Sequence, residues 1–396
     1  MKVLHITTID TGGAYKAALR LHESMLFHGI DSQIMVRTKL NPKGQAIEVF
    51  TTSVEALISK GKNGINRICS KGIIINDIFG TDISRHPLVR DADILFLHWV
   101  NSFLSCKSVI HLGRTGKRII WVMHDMWLFT GGCHVDGYCG RYEKRCGNCP
   151  LIAGNREKDL SRKNFLTKMK MMKQLELTIT GPSQWIVEQA RKSDILKGKN
   201  IYHMPNTLNT SLYKPLDNVE KLRTQYGIVG QKKIVLFGAA DNGTDNDNKG
   251  FRYLKEAFCF LQVEDYVLVI FGNAGEDLGL PGGLEIVRAG YVSDECKLAE
   301  LYNLADVFVN PSSQESFAYT VCESMACGTP VVGFPIGGIK EQIVHQVNGY
   351  LAKYHDARDL AQGIEYCTCN ADRLGQEACR SAQRYSYSKE LYRIII

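Results

Sequence analysis

Short apolar runs alternate with longer stretches of helical spacing along the whole chain. Val3–Thr8 reads as a buried strand and runs into a tight glycine turn, Asp10-Thr11-Gly12-Gly13. Ala14–His28 then sets Ala17, Ala18, Leu21 and Met25 on one helical face. More strand-like runs follow at Ile34–Val36, Ile94–Leu97, Ile119–Met123 and Thr178–Thr180. A Pro/Asn turn, His203–Asn209, closes this series. A second series runs through Lys233–Gly238, Tyr266–Gly272, Ile286–Ala289, Val307–Asn310 and Val331–Phe334. Strands alternating with helices predict a parallel sheet. Two such series predict an α/β chain of two doubly wound domains, 1–205 and 206–380, with a tail from about 381 to 396. Ligands of such sheets sit at the strands' C-terminal ends, so a central cleft faced by both domains is the expected site.

Composition adds little to this picture, and charge adds more. At 396 residues, 44% hydrophobic and 22% charged, the chain suits two ordered globular domains. No apolar run approaches the ~18 residues of a membrane span. The start, Met1–Ile6, turns polar at Thr7 and does not read as a secretory signal. A cytoplasmic protein is expected, with its thirteen cysteines mostly reduced. The net charge of +7 is unevenly spread: residues 1–205 hold 30 Lys and Arg against 17 Asp and Glu, and residues 206–396 hold 18 against 24. The basic half predicts an anionic partner. No nucleic-acid motif is present, so a membrane surface or a lipid-pyrophosphate acceptor is favoured over nucleic acid.

The richest stretch is Glu315-Ser316-Phe317-Ala318, continuing through Glu323 to Gly328. Asn310-Pro311-Ser312-Ser313 breaks the preceding strand, and Gly328 stops the helix that follows. Glu315 is expected at the helix start and Glu323 about two turns inside, roughly 12 Å further on. Open N–H groups over Ser316–Ala318 favour a diphosphate between the two carboxylates.

From Pro311 to Val332 the pattern Pro-Ser-x-x-Glu-Ser-Phe-Ala-x-Thr-x-x-Glu-x-Met-Ala-Cys-Gly-Thr-Pro-Val-Val resembles the donor motif of the retaining glycosyltransferases of family four. That family has the GT-B fold, two Rossmann-like domains facing a cleft. The resemblance implies that Glu315 binds donor-sugar hydroxyls and Glu323 the ribose of a nucleoside-diphosphate sugar. It implies that the Gly12-Gly13 loop faces the donor phosphates, and that the tail crosses back to the first domain.

Asn248-Lys249-Gly250 opens a predicted helix, Gly250–Leu261, after the strand Lys233–Gly238. The dipole disfavours a cation at a helix start, which favours a phosphate role for Lys249. The resemblance makes it the diphosphate-binding lysine. The arginine that the wider family often carries after this strand is replaced here by Ala239 and Ala240. Asp245-Asn246-Asp247 and Asp91-Ala92-Asp93 imitate a metal-binding Asp-x-Asp. Both are set aside, the first because a metal would compete with Lys249, the second as surface aspartates before a strand.

His124 ends the strand Ile119–Met123. The string Trp121–His134, with His98-Trp99-Val100-Asn101, resembles a subgroup that builds bacterial surface polysaccharides of the colanic-acid type. In the wider family a histidine here points at the donor sugar, and Asp125 is expected either to orient it or to cap the next turn. Cys133, Cys139, Cys146 and Cys149 fall within seventeen residues. A structural zinc on four thiolates is one reading; an iron–sulfur cluster, two disulfides and four independent thiols are others. Arg156–Leu177 mixes basic residues with apolar ones, as either a membrane-surface helix or an ordinary surface helix does.

The resulting expectation is a retaining, metal-independent hexosyltransferase with His124, Glu315 and Lys249 at its centre. Its donor is held by Gly12, Gly13, Lys249, Glu315, Ser316, Phe317, Ala318 and Glu323, and its acceptor is a glycan or a polyprenyl-pyrophosphate-linked saccharide. It would work in the cytoplasm, peripherally on the inner face of the membrane. A non-hydrolysing nucleotide-sugar epimerase and a non-catalytic nucleotide-sugar scaffold share the same architecture.

Overall fold

The computed structural model describes residues 1–50, 61, 79–154, 156–217, 219–239, 247–273, 275, 277–388 and 390. Asp245, Asn246 and Ala240 lie outside them, as do positions 389 and 391–396 of the expected tail helix. The chain divides into two compact units, Met1–Thr207 with the last residues from Ser388, and Leu208–Tyr387.

Among the described residues the first unit carries seven strands: β1 Lys2–Ile9, β2 Asp31–Thr38, β3 Ile47–Glu48, β4 Ile94–Leu97, β5 Arg118–Val122, β6 Thr178–Gly181 and β7 Ile201–His203. They form one sheet in the order β3-β2-β1-β4-β5-β6-β7, and every pairing is parallel. Helices cover both faces, so the central strands alternate between two cores and not between core and water. Leu4, Ile6, Leu95, Leu97, Ile119 and Trp121 pack on one side. Val3, Ile94, Phe96, Ile120 and Val122 pack on the other, against Leu21 and Met25 of the helix Gly12–Phe27.

The second unit carries β8 Lys233–Gly238, β9 Tyr266–Phe271, β10 Glu285–Gly290, β11 Val307–Asn310, β12 Val331–Gly333 and β13 Gly349–Leu351. Their order is β10-β9-β8-β11-β12-β13, again wholly parallel. Val235, Leu236, Val267, Leu268, Val269, Val307, Val309, Val331 and Val332 are fully enclosed. In each sheet the strand order reverses beside one strand, β1 in the first and β8 in the second. Crevices at such switch points are where these folds bind ligands.

The helix Leu160–Lys173 settles the two readings of the basic segment. Phe165, Met171, Met172 and also Lys168 face the core, while Lys163, Lys170 and Lys173 are exposed. Its apolar face is occupied by its own unit, so a membrane-surface helix is corrected to an amphipathic helix of the core. Among the described residues no helix is long and apolar enough to cross a membrane. The stretch expected as a crossing tail helix begins inside the second unit, where the helix Ala371–Ala382 and the turn Gln383–Tyr385 end.

Candidate active site

In the second unit, two loops meet at the β8/β11 switch point. Past β8 a short turn, Asp247–Lys249, leads to Gly250, which caps the helix Phe251–Phe258. This helix is shorter than expected and starts after the lysine, so Lys249 stands on the turn and not on the helix. Gly250 is left-handed at φ +71°, and a Cβ there would lie 1.9 Å from the Pro311 carbonyl oxygen. The Ser313 N–H donates to the Asn248 carbonyl at 2.9 Å. The lysine turn and the β11 loop are thus clamped backbone to backbone.

The β11 loop is held from its other side as well. Asn310 accepts from the Ser312 hydroxyl at 2.6 Å and donates to Thr320 at 3.2 Å. Gly337, at φ +45°, leaves only 1.6 Å between a virtual Cβ and the Glu315 carbonyl oxygen. The Gly338 N–H donates to that same oxygen at 3.3 Å. Between these clamps the Lys249 ammonium reaches the Glu315 carboxylate at 3.3 Å.

The helix expected from Ser316 begins later, at Tyr319, and runs to Ala326. Phe317 explains the delay: its ring is buried edge-on against Tyr319 and Tyr385, which keeps Glu315–Ala318 as a loop. Ala318 is the N-cap and supplies no side-chain acceptor, so side-chain capping leaves the first N–H groups of this helix alone. Glu323 lies little more than one turn inside and is not beside Lys249. It is fully buried and accepts from the Tyr302 hydroxyl at 2.9 Å. Burial, followed by the Glu323 charge, holds the Tyr302 hydroxyl protonated well above the ordinary tyrosine range.

In the first unit, Gly12 and Gly13 open the helix Gly12–Phe27, whose N-cap Thr11 makes no side-chain cap bond. A Cβ on either glycine would meet nothing within 4 Å. Asp10 is buried and accepts from the Leu40 and Asn41 N–H groups at 2.6 and 2.9 Å, fastening the loop after β2 to the end of β1.

His124 follows β5 and is half-buried. Its Nε2 stands 2.8 Å from Nδ1 of His98. Asp125 makes the expected capping contact: it accepts from the Trp127 N–H at 2.8 Å, and it also pairs with His134 Nδ1 at 2.6 Å. Burial pushes the His124 imidazole down to about 4, against a smaller opposing pull from Asp125.

The four cysteines are gathered, and burial together with their mutual proximity raises three of their thiols. Cys133 reaches about 12, Cys146 about 11, and Cys149 also rises. The Gly131 N–H donates to the Cys146 sulfur at 3.2 Å. Lys168, buried nearby, donates to the carbonyls of Trp127 and Thr130 and stands 3.4 Å from the centre of the Trp127 ring. Among the described residues, no three His, Cys, Asp or Glu side chains are disposed to hold a metal ion.

Gly250, Lys168 and His98 stand in stretches that the sequence singles out, but their contacts do not show there, and Tyr302 and the Gly337-Gly338 clamp were missed. Gly337-Gly338 carried a local signal, as a glycine pair after a strand.

Comparison with known proteins adds the chemistry that the geometry lacks. Residues 231–370 match the family described as "Glycosyl transferases group 1". That match lies within the second unit, which is thus similar to the group 1 glycosyl transferases. D-inositol 3-phosphate glycosyltransferase of Thermobispora bispora is 35% identical over 141 residues, 32% of this chain and 33% of its own length. The matched segments span only about a quarter to a half of the curated relatives, from 24% to 48%. Whole-chain likeness comes from solved structures. Anabaena HepE, crystallised with UDP, superimposes with a TM-score of 0.65 at 15% identity, covering 100% of this chain and 98% of its own. A glycosyltransferase from Rickettsia africae gives 0.68 at 16% identity, covering 98% and 95%. At these identities the likeness fixes the fold alone: two parallel-sheet, Rossmann-like units of the GT-B class.

Proposed function

We propose that this chain is a retaining glycosyltransferase. It moves a hexose from a nucleoside-diphosphate sugar to a glycan or polyprenyl-pyrophosphate-linked acceptor, as in surface-polysaccharide synthesis of the colanic-acid type. The observation that carries the reading is the Lys249–Glu315 pair, set beside a helix start without a side-chain cap at the β8/β11 switch point. A cation beside a helix N-terminus suits a diphosphate, and an adjacent carboxylate suits sugar hydroxyls.

In this reading Glu315 holds the sugar, and Lys249 with the backbone of Ser316–Ala318 holds the diphosphate. Tyr302 orients the Glu323 carboxylate for the ribose. Gly12, Gly13 and His124 belong to the half that receives the acceptor. The acceptor hydroxyl attacks the anomeric carbon on the face from which the phosphate leaves. The bond from that carbon to the phosphate oxygen breaks as the new glycosidic bond forms, and the acceptor's proton passes to the departing oxygen. Charge growing on the diphosphate is stabilised by Lys249 and the helix start, so catalysis needs no metal. The exposed Lys163, Lys170 and Lys173 would draw the chain to the anionic cytoplasmic face of a membrane by charge alone.

A structural zinc on Cys133, Cys139, Cys146 and Cys149 is a separate proposal. Their mutual proximity suits a shared ion, and the N–H donated to the Cys146 sulfur and the buried Lys168 ammonium suit thiolates. Loading would require the loop to tighten into a ligating arrangement.

The transferase reading is tested by a thermal-shift panel of UDP-, GDP- and ADP-sugars, followed by transfer assays with the stabilising donor. One donor is expected to raise the melting temperature in the wild type and fail to do so in Lys249→Met. Equal shifts in both proteins, or none with any donor, would overturn it.

A further inference from the structure

Three adjacent strands of the first sheet bring three histidines into a file. His5 lies within β1, His98 directly follows β4, and His124 follows β5. His5 and His98 are buried, and His124 lies at the half-buried end. His5 Nδ1 is 2.9 Å from His98 Nε2, and His98 Nδ1 is 2.8 Å from His124 Nε2. The ring centres are 5.2 and 5.1 Å apart. With nitrogens so much closer than the centres, each pair meets edge to edge, the in-line arrangement of an N–H···N hydrogen bond and not of stacked faces. The His98 backbone is held by its own N–H donated to Ile6 at 3.0 Å.

Burial keeps all three rings neutral. Desolvation, then the His22 ring for His5 and the His124 and His5 rings for His98, hold both well below the ordinary histidine range. A neutral imidazole has one N–H and one lone pair. His98 uses both nitrogens, so it donates one way and accepts the other, and the file has a direction. His5 Nε2 decides it. That nitrogen is enclosed and has no hydrogen-bond partner. Were the file to run inward, His5 would bury an N–H without an acceptor, the rarer and costlier orphan. Running outward, His5 leaves only a lone pair there.

We infer that His5 and His98 are positioning residues for His124: each donates to the next, so that His124 accepts at Nε2 and is fixed as the Nδ1–H tautomer. His124 then serves a sugar or acceptor oxygen as a donor through Nδ1, and not as a base. The role in transfer rests on the transferase reading; the file and its direction do not.

Nitrogen NMR of imidazole-labelled full-length protein tests the tautomer without any assay. Wild-type His124 is expected to be protonated at Nδ1 and bare at Nε2; protonation at Nε2 overturns the inference. His98→Phe keeps a ring but loses the donor, and is expected to release His124 towards Nε2–H. His98→Gln, whose amide still donates, is expected to restore Nδ1–H. Turnover should fall about tenfold in His98→Phe, the equivalent of one hydrogen bond to the acting group, with donor KM little changed and recovery in His98→Gln. An unmoved tautomer in His98→Phe overturns the file. A moved tautomer with unchanged turnover overturns its part in transfer. In either case donor binding through Lys249 and Glu315 would stand. Should His98→Phe fail to fold, the wild-type spectrum alone decides.

Discussion

Lys249 and Glu315, 66 positions apart in the chain, stand 3.3 Å apart in space. Lys249 is 39% and Glu315 21% exposed at the side chain, so the pair is a solvated one, worth on the order of 0–1 kcal/mol to stability. Its value is placement: each charge holds the other where a ligand would take it over. Lys249→Met and Glu315→Gln are therefore expected to leave the melting temperature within about 3 °C of wild type. Each should lower transfer by about 10²–10³. The two should differ in binding. Losing the lysine weakens a nucleoside diphosphate, whereas neutralising the carboxylate removes a repulsion and leaves that binding equal or tighter. Calorimetric titration of the diphosphate into both variants separates them, and equal weakening in the two would refute these roles.

The clamp glycines allow a sharper stability experiment. Gly250 and Gly337 each combine a left-handed backbone with a neighbouring carbonyl oxygen where a Cβ would go. Gly227 is equally left-handed, at φ +68°, but a Cβ there meets nothing within 4 Å. Gly227→Ala should cost about 1 kcal/mol, for backbone conformation alone. Gly250→Ala and Gly337→Ala should each cost roughly 2–4 kcal/mol, because the clash adds to the strain. They should also displace the lysine turn or the Glu315 loop. Urea unfolding of the three variants measures the difference, and equal losses would mean that the loops are not held by these contacts.

How much of this was legible follows from where each signal resides. Strands β4, β8 and β11 begin and end where expected, since each is a continuous apolar run bounded by polar or glycine residues. Strands β3, β7 and β13 are two or three residues long, too short for periodicity to register. Lys249 and Glu315 could each be singled out by motif, but their pairing is made by two sheet connections that no spacing reveals. The late start of the helix at Tyr319 depends on a core that accepts Phe317, and the burial of Glu323 depends on Tyr302 from the preceding helix. His98 lay in a string already noted, yet its chemistry arises only from strand adjacency.

The cysteine loop makes a prediction about composition. A zinc ion bound by four thiolates would turn raised thiols into deprotonated ligands, and the buried Lys168 would then face negative charge. Purified protein should contain about one zinc per chain by elemental analysis, and chelation should lower its melting temperature. Cys133→Ser should abolish both the metal and the chelator effect. Less than about one ion per four chains would end the zinc proposal and leave four clustered thiols. The raised Cys133, Cys146 and Cys149 thiols already predict slow reaction with alkylating reagents at neutral pH, compared with the exposed Cys259, Cys296 and Cys369.

The histidine file also predicts how acid acts on the first unit. His5, His98 and His124 are all held below the ordinary histidine value, His124 at about 4. The unfolded chain takes up their protons near pH 6.5, before the folded one does. Their contribution to stability is therefore complete above that value and is lost as the pH falls towards the folded values. The charged neighbour Asp125 offsets this only in part, by favouring the cation on His124. Protonation also breaks the file, because a ring with two N–H groups can no longer accept. From pH 7 to pH 5 one such group costs on the order of 2 kcal/mol, or ~4–8 °C for a unit of this size. Melting followed by circular dichroism across that range should show the decline, and His98→Phe, with one titrating ring fewer, should show a shallower one from a lower start. A melting temperature that stays level between pH 7 and pH 5 in the wild type would mean that these imidazoles reach their protons without unfolding.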